Sequence, residues 1–96
     1  MIKIINEDNI KEFLTGKTLL VFSSPTCPPC KRLMPILESV SDNISVGKIQ
    51  ANKNLKLSNQ YAVTTIPATF VMDDDEVVHR FSGVFEVSEL EAYFDA

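Results

Sequence analysis

Leu19-Leu20-Val21-Phe22-Ser23-Ser24-Pro25-Thr26-Cys27-Pro28-Pro29-Cys30-Lys31-Arg32-Leu33-Met34-Pro35-Ile36-Leu37 is the stretch that decides how the chain folds. Its first four residues are apolar without alternation, which predicts a central strand over 17–23, covered on both faces. Beyond the cysteines, Leu33, Ile36, Leu37 and Val40 recur at i, i+3, i+4 and i+7, the pattern of a helix facing a core, and predict a helix over 28–41. Pro35 must bend that helix, because its ring removes one backbone donor. The strand therefore delivers the chain to Cys27, and the helix starts there.

On the N-terminal side, Ile2, Ile4 and Ile5 read as a short strand, with Asn6 placed to cap a helix carrying Ile10, Phe13 and Leu14, stopped by Gly16. On the C-terminal side, residues 44–50 read as a strand. Residues 52–62 follow as a short helix with Leu57 and Tyr61 one turn apart. Pro67 opens a β-rich run over 68–72, the one position in a strand where proline is comfortable. Asp73-Asp74-Asp75 makes a turn, 76–81 returns antiparallel, and after Gly83 the residues Val87, Leu90 and Phe94 mark a last amphipathic helix. The condensed order, βαβαββα, predicts an α/β fold: a mixed central sheet flanked by helices on both faces, with parallel pairing early and antiparallel pairing late.

Composition limits what this fold can do. Ninety-six residues suit one domain over 1–96, and 45% hydrophobic with 23% charged residues is the balance of a folded globule. The net charge of −4 leaves no basic stripe for nucleic acid or an anionic membrane surface. The longest apolar run in the chain falls far short of the roughly 20 residues that span a bilayer. The first residues lack the pattern of a secretory signal, so the expected location is cytoplasmic. A small acidic domain with no apolar outer stripe is expected to be a monomer.

Both cysteines lie in Cys27-Pro28-Pro29-Cys30. A link that short closes almost no loop, so it adds little stability and a structural role is disfavoured. At a strand-to-helix junction, Cys27 sits among unpaired N–H groups at the positive end of the helix dipole, which stabilises a thiolate. Cys30 falls one turn later, at a spacing that lets the pair open and close without backbone movement. The prolines are tolerated because first-turn N–H groups have no intrahelical acceptor to lose. Redox exchange competes here with chance spacing, an inert buried pair and half of a zinc site. The last would need a dimer, since the only other soft ligand is His79, far along the chain, and no metal is expected.

The chain resembles the thioredoxin family. Cys27-Pro28-Pro29-Cys30-Lys31 is similar to its Cys-Gly-Pro-Cys-Lys, and Pro35 matches its kink proline. Thr65-Ile66-Pro67-Ala68 is similar to its cis-proline segment, Lys48 stands nineteen positions before Pro67 as the family's lysine does, and Gly83 matches its late glycine. The resemblance implies a thioredoxin-like fold in which Cys27 is the exposed nucleophile and Cys30 the buried resolving thiol. It also implies a cis Ile66–Pro67 bond that sets Ile66 beside Cys27, so that Thr26, Pro28, Ile66, Pro67 and Gly83 would form the substrate-binding surface. Lys31 and Lys48 would be the residues able to tune the thiols.

Two positions depart from the family. Val21 stands where it has a buried aspartate, six residues before Cys27, and Thr26 where it has tryptophan. Without that acid, Cys30 must lose its proton to water, Lys48 or another group, and Lys48 is expected to reach solvent or approach the sulfurs. Thr26 narrows the apolar surface around Cys27. Among the remaining residues, Asp73-Asp74-Asp75-Glu76 reads as a solvated turn rather than a calcium loop. His79 reads as surface, and Phe85 as the phenylalanine to consider for a partner surface.

The expected activity is reduction of disulfide-containing proteins by thiol–disulfide exchange, with no bound cofactor. The chain lacks a Gly-rich nucleotide fingerprint, so a separate NADPH-dependent reductase of the thioredoxin-reductase type would have to recharge it. The competing readings are a glutathione-coupled glutaredoxin-like enzyme, to which Cys-Pro-x-Cys is also similar, a non-catalytic binding module on the same fold, and an oxidant in place of a reductant.

Overall fold

The computed structural model describes residues 2–94. Five strands form one sheet: β1 (Ile2–Ile5), β2 (Lys17–Ser23), β3 (Ser45–Gln50), β4 (Ala68–Asp73) and β5 (Glu76–Ser82). Their spatial order is β1-β3-β2-β4-β5. β3 pairs parallel with both β1 and β2, whereas β4 pairs antiparallel with β2 and β5, so parallel pairing does precede antiparallel pairing along the chain. The helices are α1 (Ile10–Phe13), α2 (Pro28–Val40), α3 (Leu55–Gln60) and α4 (Val87–Phe94). The full order is βαβαβαββα, one strand and one helix more than the condensed βαβαββα, which leaves out one of the βα pairs.

β2 lies second from neither edge but at the centre of the sheet, and Thr18 through Ser23 are all buried. Its alternate residues face two cores. Leu20 and Phe22 pack with Ile10 and Phe13 of α1, Leu57 of α3, Ile5, Ile49, Phe70 and Met72. Leu19 and Val21 pack on the other side with Leu33, Leu37 and Val40 of α2, Leu90 of α4 and Phe85. That two-sided burial is the reason the strand shows no polar alternation in sequence.

Several boundaries differ from the sequence reading. The first helix is a single turn starting at Ile10 and not at Asn6. Asn6 Oδ1 accepts the N–H groups of Asp8 (2.8 Å) and Asn9 (3.2 Å), so this side chain organises the turn ahead of the helix. The stretch predicted as a helix over 52–62 divides into a 3₁₀ turn, Ala51–Lys53, and α3. Asn54 ends the former in an irregular conformation (φ −134°, ψ 61°) before the latter begins. Pro67 lies just before β4 rather than within it.

Two surface assignments are corrected. His79 is half-buried, stacked on Tyr93 with centroids 4.8 Å apart and edge-on to Phe81 at 4.6 Å. Phe85 is only 4% exposed and stacks on Phe81 at 4.6 Å, so it belongs to the core and not to a partner surface. Their burial comes from ring contacts with Phe81 of β5 and, for His79, Tyr93 of α4, which no sequence periodicity marks. The hairpin turn at Asp74 (φ 55°) is tied to the far side of β2, where Gly16 N–H donates to Asp74 Oδ1 at 2.8 Å and Asp74 N–H to Gly16 O at 2.9 Å.

Gly47 of β3 has no room for a side chain. A Cβ there would come within 2.6 Å of Ile5 Cγ1 and 2.8 Å of two Phe13 ring carbons, all in the packed core. Gly47→Ala is expected to destabilise by ~1–3 kcal/mol through overpacking, read as a lower denaturant midpoint with an unchanged slope.

Candidate active site

Cys27 is the N-cap residue of α2, held in extended geometry (φ −95°, ψ 110°) as the chain leaves β2, and a disulfide joins it to Cys30. The Cα atoms are 5.2 Å apart, within the range that a disulfide accepts. The donors of the first turn are accounted for one by one. Pro28 and Pro29 have no N–H, the Cys30 N–H donates to Cys27 Sγ at 3.3 Å, and the Lys31 N–H donates to the Cys27 carbonyl at 3.1 Å. The two prolines therefore remove competing donors and leave the first free N–H of the helix aimed at the sulfur. The sequence sets Cys27 among unpaired first-turn N–H groups, and the structure adds that the one reaching the sulfur belongs to Cys30.

The two sulfurs differ in access. Cys27 is partly exposed, while Cys30 is buried at 3%. Around Cys27 the neighbouring side chains follow from the loop that precedes it: Thr26 is exposed, and its N–H and hydroxyl both meet Ser24 Oγ, at 3.4 and 3.2 Å. Pro28 is exposed as well.

A second segment meets the sulfur from across the sheet. The Ile66–Pro67 peptide bond is cis, and the Ile66 carbonyl oxygen lies 3.8 Å from Cys27 Sγ. Pro67 is buried, and its own carbonyl accepts the Gly83 N–H at 2.9 Å. Gly83 has φ 82°, a left-handed conformation that suits glycine. Cys27, Cys30, Ile66, Pro67 and Gly83 are thus linked through contacts at the ends of β2, β4 and β5.

Among the described residues, neither the Lys31 nor the Lys48 side chain makes a hydrogen bond to either sulfur. Lys31 is exposed on the helix. Lys48 pairs in register with Val21 on one side and Ile4 on the other, is half-buried, and lines a cavity of about 170 Å³ with Ile4, Ser23, Pro25 and Gln50. Among the described residues no cluster of His, Cys, Asp and Glu could hold a metal ion. The perturbed titration that the structure does carry is on Tyr61, whose phenol is pushed above its ordinary value by burial and then by Asp75. Tyr61 packs on Phe22 and Phe70, so the shift reflects packing and not the sulfur chemistry.

A family model described as thioredoxin matches residues 1–96. The chain belongs to the thioredoxin family. It is 32% identical over 94 residues to a thioredoxin of Chlamydia caviae, covering 94% of this chain and 92% of that one. With a thioredoxin of Bacillus subtilis it shares 31% identity over 87 residues, covering 86% and 84%. A solved mutant thioredoxin from Halobacterium salinarum superposes with a TM-score of 0.86 at 23% identity, covering 99% of this chain and 92% of that chain, a likeness of fold. With the Cys27–Cys30 disulfide, these relatives make the chain a dithiol–disulfide oxidoreductase of the thioredoxin type, a protein-disulfide reductase. No helix among the described residues is long and apolar enough to cross a membrane.

Proposed function

We propose that this single domain reduces disulfide-containing proteins in the cytoplasm with Cys27 as nucleophile and Cys30 as resolving thiol, as a monomer with no cofactor of its own. The Cys27 thiolate attacks one sulfur of the client disulfide, forming a mixed disulfide and releasing the first client thiolate. Cys30, as thiolate, then attacks Cys27 Sγ, forming the intramolecular disulfide and releasing the second client thiolate. Two electrons pass from the dithiol to the client, and two protons from solvent complete the client thiols. The observation that carries these roles is the asymmetry of the pair: Cys27 is accessible and accepts an N–H at the positive end of α2, whereas Cys30 is sealed behind it.

Thr26, Pro28, Ile66, Pro67 and Gly83 are the substrate-binding residues in this reading. The Ile66 carbonyl, already beside the sulfur, is free to pair with an extended client strand, while the exposed Thr26 and Pro28 flank its approach. Lys31 and Lys48 act on the thiols only through their charge. A separate NADPH-dependent reductase of the thioredoxin-reductase type returns the disulfide to the dithiol, placing the protein in an electron-transport chain for redox homeostasis.

A coupled assay on a protein disulfide tests this. Turnover is expected with NADPH and a thioredoxin reductase. Recharge by glutathione alone points instead to a glutaredoxin-like enzyme. Biological activity that survives replacement of both cysteines by serine points to a binding module. Equilibration with a glutathione buffer of known poise fixes whether the couple is reducing or oxidising.

A further inference from the structure

The cavity beside the active-site loop has an unusual lining. Ile4 comes from β1, Ser23 from the last position of β2, Lys48 and Gln50 from β3, and Pro25 from the loop leading to Cys27. Ser23 pairs in register with Gln50, two positions along from the row that joins Ile4, Lys48 and Val21 and so on the same face, which means that the sheet holds the lining residues. Ser23 is 4% exposed, yet among the described residues its hydroxyl makes no hydrogen bond. Lys48, half-buried in the same cavity, makes no ion pair among the described residues. Among the described residues no carboxylate lines the space.

The Ser23 hydroxyl, with no protein partner, and the Lys48 side chain, with no counter-ion among the described residues, are both left with donors that a ligand in the cavity can satisfy. Both face one cavity, joined by the Gln50 amide, which can also donate. With three donor side chains, one positive charge and no acid among the described residues, the lining is complementary to an anion, although the chain as a whole carries net charge −4. At about 170 Å³ the space admits a carboxylate with a short stem but not a bulky ligand. Ile4, 64% exposed at the rim, together with Pro25, offers apolar surface to that stem.

We propose that this cavity is a carboxylate-binding subsite, with Lys48 supplying the charge and Ser23 and Gln50 the directed hydrogen bonds. Pro25, which lines it, stands two residues before Cys27, so the cavity can take either a free small acid or an acidic side chain of a client presented to Cys27. The ligand chemistry is the same in both cases. Only the client arm rests on the redox reading above; binding of a free acid does not depend on turnover.

The test begins with acetate titrated into the oxidised protein, followed by backbone amide shifts and the Lys48 side-chain signal in NMR spectra. Saturable shifts at Ser23, Lys48 and Gln50 are expected, lost in Lys48→Met, weakened in Ser23→Ala and kept in Lys48→Arg, with melting curves confirming that each variant is folded. A second arm compares kcat/KM for paired disulfide peptides that differ only by Glu or Gln near the disulfide. An advantage for Glu of about fivefold that collapses to parity in Lys48→Met assigns the site to clients, and acetate binding without such an advantage assigns it to free acids. The proposal is overturned if acetate shifts are linear, spread over the exposed lysines and unchanged in Lys48→Met, while the peptide ratio is equally insensitive to that substitution.

Discussion

Cys27→Ser is expected to lower disulfide-reductase turnover by at least ~10³-fold, because a hydroxyl cannot form the mixed disulfide through which all electrons pass. Cys30→Ser is expected to stop the same reaction one step later. There the accessible Cys27 still attacks the client, but no second thiol displaces it, so the enzyme accumulates as a covalent adduct that dithiothreitol releases. Mass spectrometry of each variant after incubation with a client disulfide distinguishes the two: the Cys30→Ser protein carries client mass, and the Cys27→Ser protein carries none. The difference follows from burial, since Cys30 at 3% exposure cannot take over the attack when Cys27 is lost. Equal adduct formation by both variants would remove the assignment of roles.

The largest loss of stability is expected at Phe22. It is fully buried in the central strand, and its ring lies 5.5 Å from Tyr61 and 5.7 Å from Phe70, with Tyr61 and Phe70 themselves 5.3 Å apart. Arg80 closes the group, its guanidinium carbon 5.2 Å from the Phe70 centroid and a guanidinium N–H donating to the Ala62 carbonyl at 3.2 Å. Phe22→Ala leaves a cavity under this cluster that the sheet cannot collapse, since the residues on either side are hydrogen-bonded to β3 and β4. The expected cost is ~3–5 kcal/mol. At about 4–8 °C per kcal/mol for a domain of this size, the melting midpoint should fall by more than roughly 10 °C. Thermal melts and urea titration measure it, and a loss under ~1 kcal/mol would mean that the cluster is not a cohesive part of the core.

The elements legible in the sequence were those whose pattern reflects burial. The unbroken run from Leu19 to Phe22 announced a strand covered twice, and the spacing of Leu33, Ile36, Leu37 and Val40 announced α2 nearly to its last residue. α1 and α3 were overestimated in length because Leu14, Tyr61 and Ala62 have helical spacing but leave the helix at positions such as Ala62, where φ is 53°. His79 and Phe85 escaped because ring stacking across β5 and α4 has no periodic signature.

At the site, side-chain chemistry is legible from spacing, whereas the place of the Ile66 backbone beside Cys27 is legible only through the family resemblance. The spacing of Cys27 and Cys30 at a strand-to-helix junction was enough to point to exchange, whereas the Cys30 N–H, the Ile66 carbonyl and the Gly83–Pro67 hydrogen bond depend on where the chain folds back. Ser23 carries no sequence signal. A serine at the end of a strand reads as a boundary residue, and only the register with Gln50 places it beside Lys48.

The account depends on Cys27 being a reachable thiolate at neutral pH. Alkylation of the reduced protein with iodoacetamide over a pH series, with the labelled residue assigned by mass spectrometry, measures that directly. Cys27 should react first, with half-maximal rate at a pH below the ~8.5 of a free cysteine, and Cys30 should stay protected while the protein is folded. Labelling that waits for alkaline conditions, or that falls on Cys30 before Cys27, would contradict it.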